Sequence, residues 1–337
     1  MNLTYWLPVI FAGLLTLSML IYVVLDGYDL GIGLLLPSVE RAEKTQMLST
    51  IGPFWDANET WLVLGIGLLL AAFPAANSLV SGELYLPLAF MLGGLIIRGV
   101  SFDFRVKARE PHQPLWDSAF FVSSLLVSLM QGLMLGRYLM GFSEGWVAWG
   151  FAWLTALCLC NAYALLGASW LILKTTGSLQ ARAYVWAKQV LLGAIAAVAL
   201  VSIATPLASP AIAAKWFVLP QFLLLLPLPL VTFGLFALLN YLLPRLARRQ
   251  AQGDDRYCWV PFVLCVSIVL LSFWGLAYSI FPDIVISKMT IWQAASDTEA
   301  LWAILVVAAV VLPVVLAYTA YVYRVFHGKA ATELSYD

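Results

Sequence analysis

Charge is what this chain has least of. Asp, Glu, Lys and Arg make up 11% of its 337 residues against 63% hydrophobic, and the 18 bases cancel the 18 acids. A water-soluble domain has nowhere to hide that much apolar surface, so the composition calls for a bilayer as solvent. No run of Lys or Arg is dense enough for a nucleic-acid-binding tail, and zero net charge gives no reason to expect such a partner. Histidine is reduced to His112 in EPHQP and His327 in FHGK. Both stretches are polar, so the chain lacks the embedded histidines that usually hold a haem in a membrane protein. Cys158, Cys160, Cys258 and Cys265 lack the paired spacing of a zinc site and read as packing thiols. Methionines at helical depth, such as Met19, Met91, Met130 and Met134, read as apolar filler. The chain is therefore expected to offer no metal ligand and no cofactor-binding residue of its own. There is no low-complexity linker and no soluble domain. The GIG triplets at 31–33 and 65–67 lack the strand–helix setting of a nucleotide loop and read as sites of close helix packing.

What is present is a succession of about nine apolar stretches of membrane-crossing length, over 5–30, 53–74, 79–103, 117–140, 148–173, 184–205, 217–242, 259–281 and 300–325. They predict an all-α, polytopic membrane protein forming one integral domain: a first four-helix bundle in 1–140, a second in 148–281 and one further helix at 300–325. The first stretch has no basic n-region and no A-x-A site after it, so it is expected to stay as a helix. Arg41, Lys44, Arg105, Lys107, Arg109, Lys174, Arg182, Lys188, Arg245, Arg248, Arg249, Arg256, Arg324 and Lys329 fall in alternate connections and the C-terminal segment, and the intervening connections hold only Arg137, Lys215 and Lys288. Basic loops are retained in the cytoplasm, which predicts an N-terminus outside and a C-terminus inside.

Six ionisable residues interrupt the first three stretches: Asp26 and Asp29 in LDGYDLGIG, Asp56 and Glu59 in GPFWDANETW, Arg98 and Asp103 in RGVSFDFR. Each costs roughly 2.5–3.5 kcal/mol at a helix centre on insertion scales, so each must be paired, protonated or turned toward protein. The topology puts all six in one leaflet, where they are expected to converge. Asp26 with Asp29 and Asp56 with Glu59 are three residues apart and share a helix face, and Arg98 is their natural counter-ion. Chains of intramembrane carboxylates usually move protons, which makes a cytoplasmic-side proton route the leading reading and a structural ion-pair network the other. Trp55 and Trp61 flank the acids, where aromatic anchors of the membrane interface also occur. A proton-coupled transporter would use the same acids, with LDGYDLGIG as a broken helix around a substrate. Against it stand the absence of an inverted repeat and the confinement of the charges to one leaflet.

The stretches LDGYDLGIG at 25–33, IGPFWDANETWLV at 51–63, RGVSFDFR at 98–105 and LWDS at 115–118 resemble subunit II of the bacterial cytochrome bd-type quinol oxidases, including the cyanide-insensitive branch. The remaining two thirds resembles it in hydropathy and span count. The resemblance implies a subunit of the bacterial cytoplasmic (inner) membrane, paired with a subunit I that carries haem b and haem d-type centres and oxidises quinol, with oxygen reduced to water by protons from the cytoplasm. It implies that Asp29, Asp56 and Asp103, with Trp55 and Arg98, belong to a proton route and subunit contact, to which the spacing of the charges adds Asp26 and Glu59 in support. Glu59 stands where some members carry Gln. The resemblance leaves room for a structurally bound quinone, a small single-helix accessory subunit and contacts with membrane lipid, or for a subunit with a purely structural, assembly role.

The alternating basic loops make a direct prediction. A cysteine replacing Gln252 should react with an impermeant thiol reagent only from the cytoplasmic side, and one replacing Gly145 only from outside; the opposite labelling would reverse the orientation.

Overall fold

The computed structural model describes residues 3–330. The chain begins with α1 (Leu3–Leu35), a single tight turn (Leu36–Ser38) and α2 (Arg41–Ser49), followed by α3 (Trp55–Ala72), α4 (Pro74–Glu83) and α5 (Tyr85–Lys107). After a second tight turn (Glu110–His112) come α6 (Gln113–Leu139), α7 (Trp146–Lys174), α8 (Gly177–Ala208), the short α9 (Pro210–Trp216) and α10 (Gln221–Leu225), α11 (Pro227–Ala251) and α12 (Val260–Ile280). A two-stranded antiparallel hairpin, β1 (Asp283–Val285) and β2 (Met289–Thr290), leads through α13 (Ile291–Ala294) to α14 (Thr298–Val325).

Eight helices among the described residues are long and apolar enough to cross a membrane. α3, at the place of the second expected stretch, is not among them because Asp56, Asn58 and Glu59 occupy its first two turns, yet its 18 residues span roughly 27 Å at 1.5 Å per residue. Contacts between elements show that it runs the depth of the protein. At one end the Ser296 amide donates to the Ala72 carbonyl at the close of α3, and Trp292 Nε1 donates to the Tyr5 carbonyl near the start of α1. At the other end Lys174 Nζ donates to the Phe326 carbonyl at 2.6 Å, and Arg182 pairs with Glu43 at 2.8 Å. The basic connections therefore gather at one end, as the alternation of Lys and Arg requires.

Boundaries moved where proline intervened. The expected stretch at 217–242 is split, because Pro220 and Pro227 have no amide hydrogen to continue a helical ladder, and the long helix begins only at Pro227. The motif LDGYDLGIG lies wholly inside the continuous α1, so the broken helix of the transporter reading is not formed.

α7 is the central helix, packed against α1, α6, α8 and α12. Lipid tails are as apolar as leucine, so van der Waals contact and small residues bring such helices together. A Cβ on Gly31 would lie 1.8 Å from the Tyr163 carbonyl oxygen, and one on Gly167 would lie 2.5 Å from the Gly31 carbonyl carbon, so the α1–α7 crossing exists only because both residues are glycine. On the other side of α7, Gly132 and Gly136 face the backbone of Ala156 and Ala152. The first GIG triplet is thus a packing device as read; in the second, Gly67 has open space around it. The core on this scaffold is aromatic: Tyr28 stacks on Trp170 at 4.1 Å, with Phe54 and Phe262 edge-on to that pair. α14 is peripheral, packed chiefly on α1 and α3.

Gly31→Ala should force α1 and α7 apart and destabilise the folded protein by about 1–3 kcal/mol or more. Gly67→Ala should be neutral or slightly stabilising. Thermal unfolding of the two variants in detergent checks the contrast.

Candidate functional site

α1, α3 and α5 bring one base against two acids. Arg98, 1% exposed on α5, donates from Nη2 to Asp26 Oδ1 of α1 at 2.5 Å, and from Nε to Glu59 Oε1 of α3 at 3.1 Å; its Nη2 also contacts Glu59. Asp26 is fully buried, whereas the Glu59 side chain keeps 23% of its surface exposed. Breaking such a pair leaves an uncompensated charge in a low dielectric, a cost of about 3–5 kcal/mol. The bridge is not saturated: Arg98 Nη1 and Asp26 Oδ2 have no hydrogen-bond partner. A Cβ on Gly99 would lie 3.4 Å from the Trp55 ring, which also packs on Phe102 at 5.3 Å between centroids and closes this corner between α3 and α5.

Asp29 sits one turn further along α1 and is also buried, but its partner is neutral. Asn58 of α3 donates from Nδ2 to Asp29 Oδ2 at 2.8 Å, and the same nitrogen reaches Tyr28 Oη at 2.8 Å. Tyr323, from α14, donates to Asn58 Oδ1 at 3.1 Å and lies 2.5 Å from Tyr28 Oη. A second polar chain runs toward α7: Gln131 donates to Tyr22 at 2.5 Å and accepts from Tyr163 at 2.7 Å. Tyr22 is close enough to Asp26 to feel its charge.

Asn58, Tyr28, Tyr323, Tyr22, Gln131 and Tyr163 were not singled out from the sequence. Asn58 carried a signal, since a polar residue two positions from Asp56 in a membrane-depth helix lies about 200° around from it, on the opposite face. Tyr323 carried none, being 265 residues away from its partner.

Two of the six charges do not join the cluster. Asp56 and Asp103 are exposed at the same end of the protein. Helical geometry accounts for both. Residues three apart are offset by about 60°, enough to leave Asp56 on the outer face while Glu59 reaches Arg98. Residues five apart are offset by about 140°, so Arg98 points in and Asp103 points out. Arg105, seven positions beyond Arg98 and nearly in line with it, is buried instead. It pairs with Asp117 of the LWDS stretch, and Lys44 lies 3.6 Å from the same carboxylate. This second buried pair, which anchors α5 to α6, was also not singled out.

The opposite end has its own charges: Arg137 is bonded to Glu144 at 2.9 Å, with Glu83 at 4.0 Å and Lys288 beyond it. The Glu144 carboxyl is held below its usual range by the Trp149 indole hydrogen bond and by Arg137. His112 and His327 are exposed at the basic end. Cys265 is buried and the other three cysteines are half-buried, all as free thiols. Between the ends lies a largely apolar cavity of ≈ 520 Å³, lined by residues that include Met19, Leu62, Leu88 and Ile268, with Tyr22, Gln131 and Tyr163 among its few polar groups.

Arg98→Leu would strand Asp26 and Glu59 and should cost about 3–5 kcal/mol, seen as loss of folded protein after detergent extraction. Arg98→Lys, which keeps the charge without the planar fork, should retain more of it.

Comparison with known proteins places this geometry. The family model of the cytochrome bd terminal oxidase subunit II matches residues 7–326. The chain is 27% identical over 352 residues to the cytochrome bd-I ubiquinol oxidase subunit 2 of Escherichia coli K12, covering 93% of this chain and 92% of that protein. It is 32% identical over 182 residues to a probable cytochrome oxidase subunit 2 of Haemophilus influenzae, a match spanning about half of each protein at 48% and 47%. The bd oxidase structure from Geobacillus thermodenitrificans has the same fold, with a TM-score of 0.79 over 95% of this chain and 98% of that one at 17% identity. The chain belongs to the cytochrome bd terminal oxidase subunit II family.

Proposed function

We propose that this chain is the haem-free subunit of its quinol:oxygen oxidoreductase and carries a proton route from the cytoplasmic side. Membership of the family makes it a multi-pass membrane subunit of a bacterial respiratory quinol oxidase with a subunit I partner. The observation that carries the rest is the gathering of Asp26, Asp29, Asp56, Glu59 and Asp103 at one end of α1, α3 and α5, with Asp117 of α6, the end that also collects the basic loops. Positive loops favour the cytoplasm, so this end is assigned inside and both the outer N-terminus and inner C-terminus follow.

Asp56 heads an outward stripe on α3, Asp56, Thr60, Val63, Gly67 and Leu70, all exposed and spaced at the helical period. A carboxylate at the head of an apolar, membrane-facing stripe is costly unless protein covers it, which supports subunit I on this face; Asp103 of α5 is exposed at the same end. Glu59 lies one turn in from Asp56, close enough to feel its charge, and opens partly to the surface while holding Arg98. The carboxylates thus form a sequence from surface to core: Asp56 and Asp103 at entry, Glu59 at the junction, Asp26 and Asp29 inside. Trp55 closes the α3–α5 corner alongside. Glu59 acquires a definite place here, as second partner of Arg98.

Haem in the complex supplies the electron-transfer and oxygen-reduction chemistry. The two histidines of this chain stand exposed at its surface, which does not suit axial ligation in the core, so haem b and the haem d-type centre are assigned to the partner. The apolar cavity suits a structural quinone, its isoprenoid tail among the aliphatic side chains and its ring toward Tyr22 and Gln131. The exposed apolar surface of α14 leaves room for lipid or a single-helix accessory subunit.

The route is tested in the assembled oxidase. Asp56→Asn and Asp29→Asn keep shape and remove the exchangeable proton. Each should retain haem content while oxygen consumption falls by on the order of tenfold or more. Asp56 does not pair with Arg98, so its loss should leave assembly intact. Full turnover in both variants would remove the proton route and leave a structural subunit.

A further inference from the structure

The contacts of Tyr323 close a ring. Its hydroxyl has one proton, which goes to Asn58 Oδ1 at 3.1 Å, so in the 2.5 Å contact with Tyr28 it must accept. Tyr28 then donates to Tyr323 and accepts from Asn58 Nδ2 at 2.8 Å. Each of the three groups gives one hydrogen bond to the next, and the ring consumes the Asn58 carbonyl and one amide hydrogen. The other amide hydrogen reaches Asp29 Oδ2 at 2.8 Å, with the Leu25 carbonyl a longer third acceptor at 3.3 Å from the same nitrogen, while Asp29 Oδ1 has no partner. Asn58 and Tyr28 are fully buried and Tyr323 is half-buried, so water offers no substitute at the Asn58 and Tyr28 corners of the ring.

We infer that Tyr323, on the last helix, is a positioning residue that acts through this ring: it fixes which end of the Asn58 amide faces Asp29. An asparagine amide can present either its nitrogen or its oxygen to a carboxyl group, and the two choices favour opposite protonation states of that group. In the orientation observed, the Tyr323 proton occupies the Asn58 oxygen and leaves the nitrogen for Asp29. The orientation depends on the seating of α14, which is otherwise little buried and is pinned here by the tilted contact of Tyr323 with Phe54 at 4.6 Å and by Lys174 on the Phe326 carbonyl at 2.6 Å. The last helix, nearly 300 residues distant in sequence, thereby sets the hydrogen bonding of an acid on the first. This inference deepens the proton-route reading by adding a residue that controls Asp29.

The test uses the assembled oxidase and an infrared signature. The carboxyl band of Asp29 is identified as the one that vanishes in Asp29→Asn. In Tyr323→Phe, at parental haem content, that band should move and its titration midpoint should shift by roughly one pH unit, the size expected for one hydrogen bond. Tyr28→Phe breaks the ring at a second corner and should do the same. Tyr321→Phe, on the exposed side of the same helix, should leave the band in place. An unmoved band in whichever ring variant assembles overturns the inference. So does failure of both to assemble, since the ring would then be a clamp for α14. Full oxygen consumption in Asp29→Asn would sink the proton route alone, because the band measurement does not depend on turnover.

Discussion

The acid cluster where α1, α3 and α5 meet depends on Arg98. It is a buried guanidinium shared between a fully enclosed Asp26 and a half-open Glu59, with Asp29 a turn away. Two opposite charges 4 Å apart gain about 4 kcal/mol at an effective dielectric of 20, while removing each ion from water costs several kcal/mol. These terms nearly cancel, so the bridge adds little net stability. What it supplies is register. One guanidinium can meet Asp26 of α1 and Glu59 of α3 together only when α1, α3 and α5 stand at one rotation and one depth. That alignment places Trp55 over Gly99 and Asn58 opposite Asp29.

The apolar packing supports the same alignment from the other side. Glycine at 31 and 167 lets α1 and α7 meet backbone to backbone, which holds the Asp29 turn of α1 against the body of the protein. Tyr28 then stacks on Trp170 of α7 and turns its hydroxyl toward Asn58. The polar cluster and the glycine crossing are therefore successive layers of one arrangement. α3, which falls short of the apolarity of the membrane-crossing helices, is the one the polar cluster requires, because it carries Glu59 and Asn58 on its inner side and Asp56 on its outer side.

That arrangement divides the acids into inner and outer sets. Asp26, Asp29 and Glu59 are held by donors inside the helix cluster, whereas Asp56 and Asp103 are left for a surface that another chain can cover. An intramembrane acid is tolerated when it has a partner, and the outer two have no hydrogen bond or ion pair among the described residues. A subunit whose charges are completed only by its partner fits a family that works as a complex.

How much of this was legible in the sequence follows from what each feature depends on. Composition and the length of the apolar runs determined an all-helical membrane protein, because no other backbone arrangement of such segments satisfies its hydrogen bonds in lipid. The alternation of Lys and Arg determined which helix ends lie together, and the scarcity of charge made Arg98 the evident counter-ion. Helical spacing alone, at 100° per residue, already separated Asp103 from Arg98 and placed Arg105 in line with it. Tertiary structure decided the rest. Whether a 60° offset leaves Asp56 inside or outside depends on where neighbouring helices stand, and that is set by crossings such as Gly31 on Gly167. The Asn58–Tyr28–Tyr323 ring joins three helices drawn from both ends of the chain, and no local pattern encodes a contact between residues 265 positions apart.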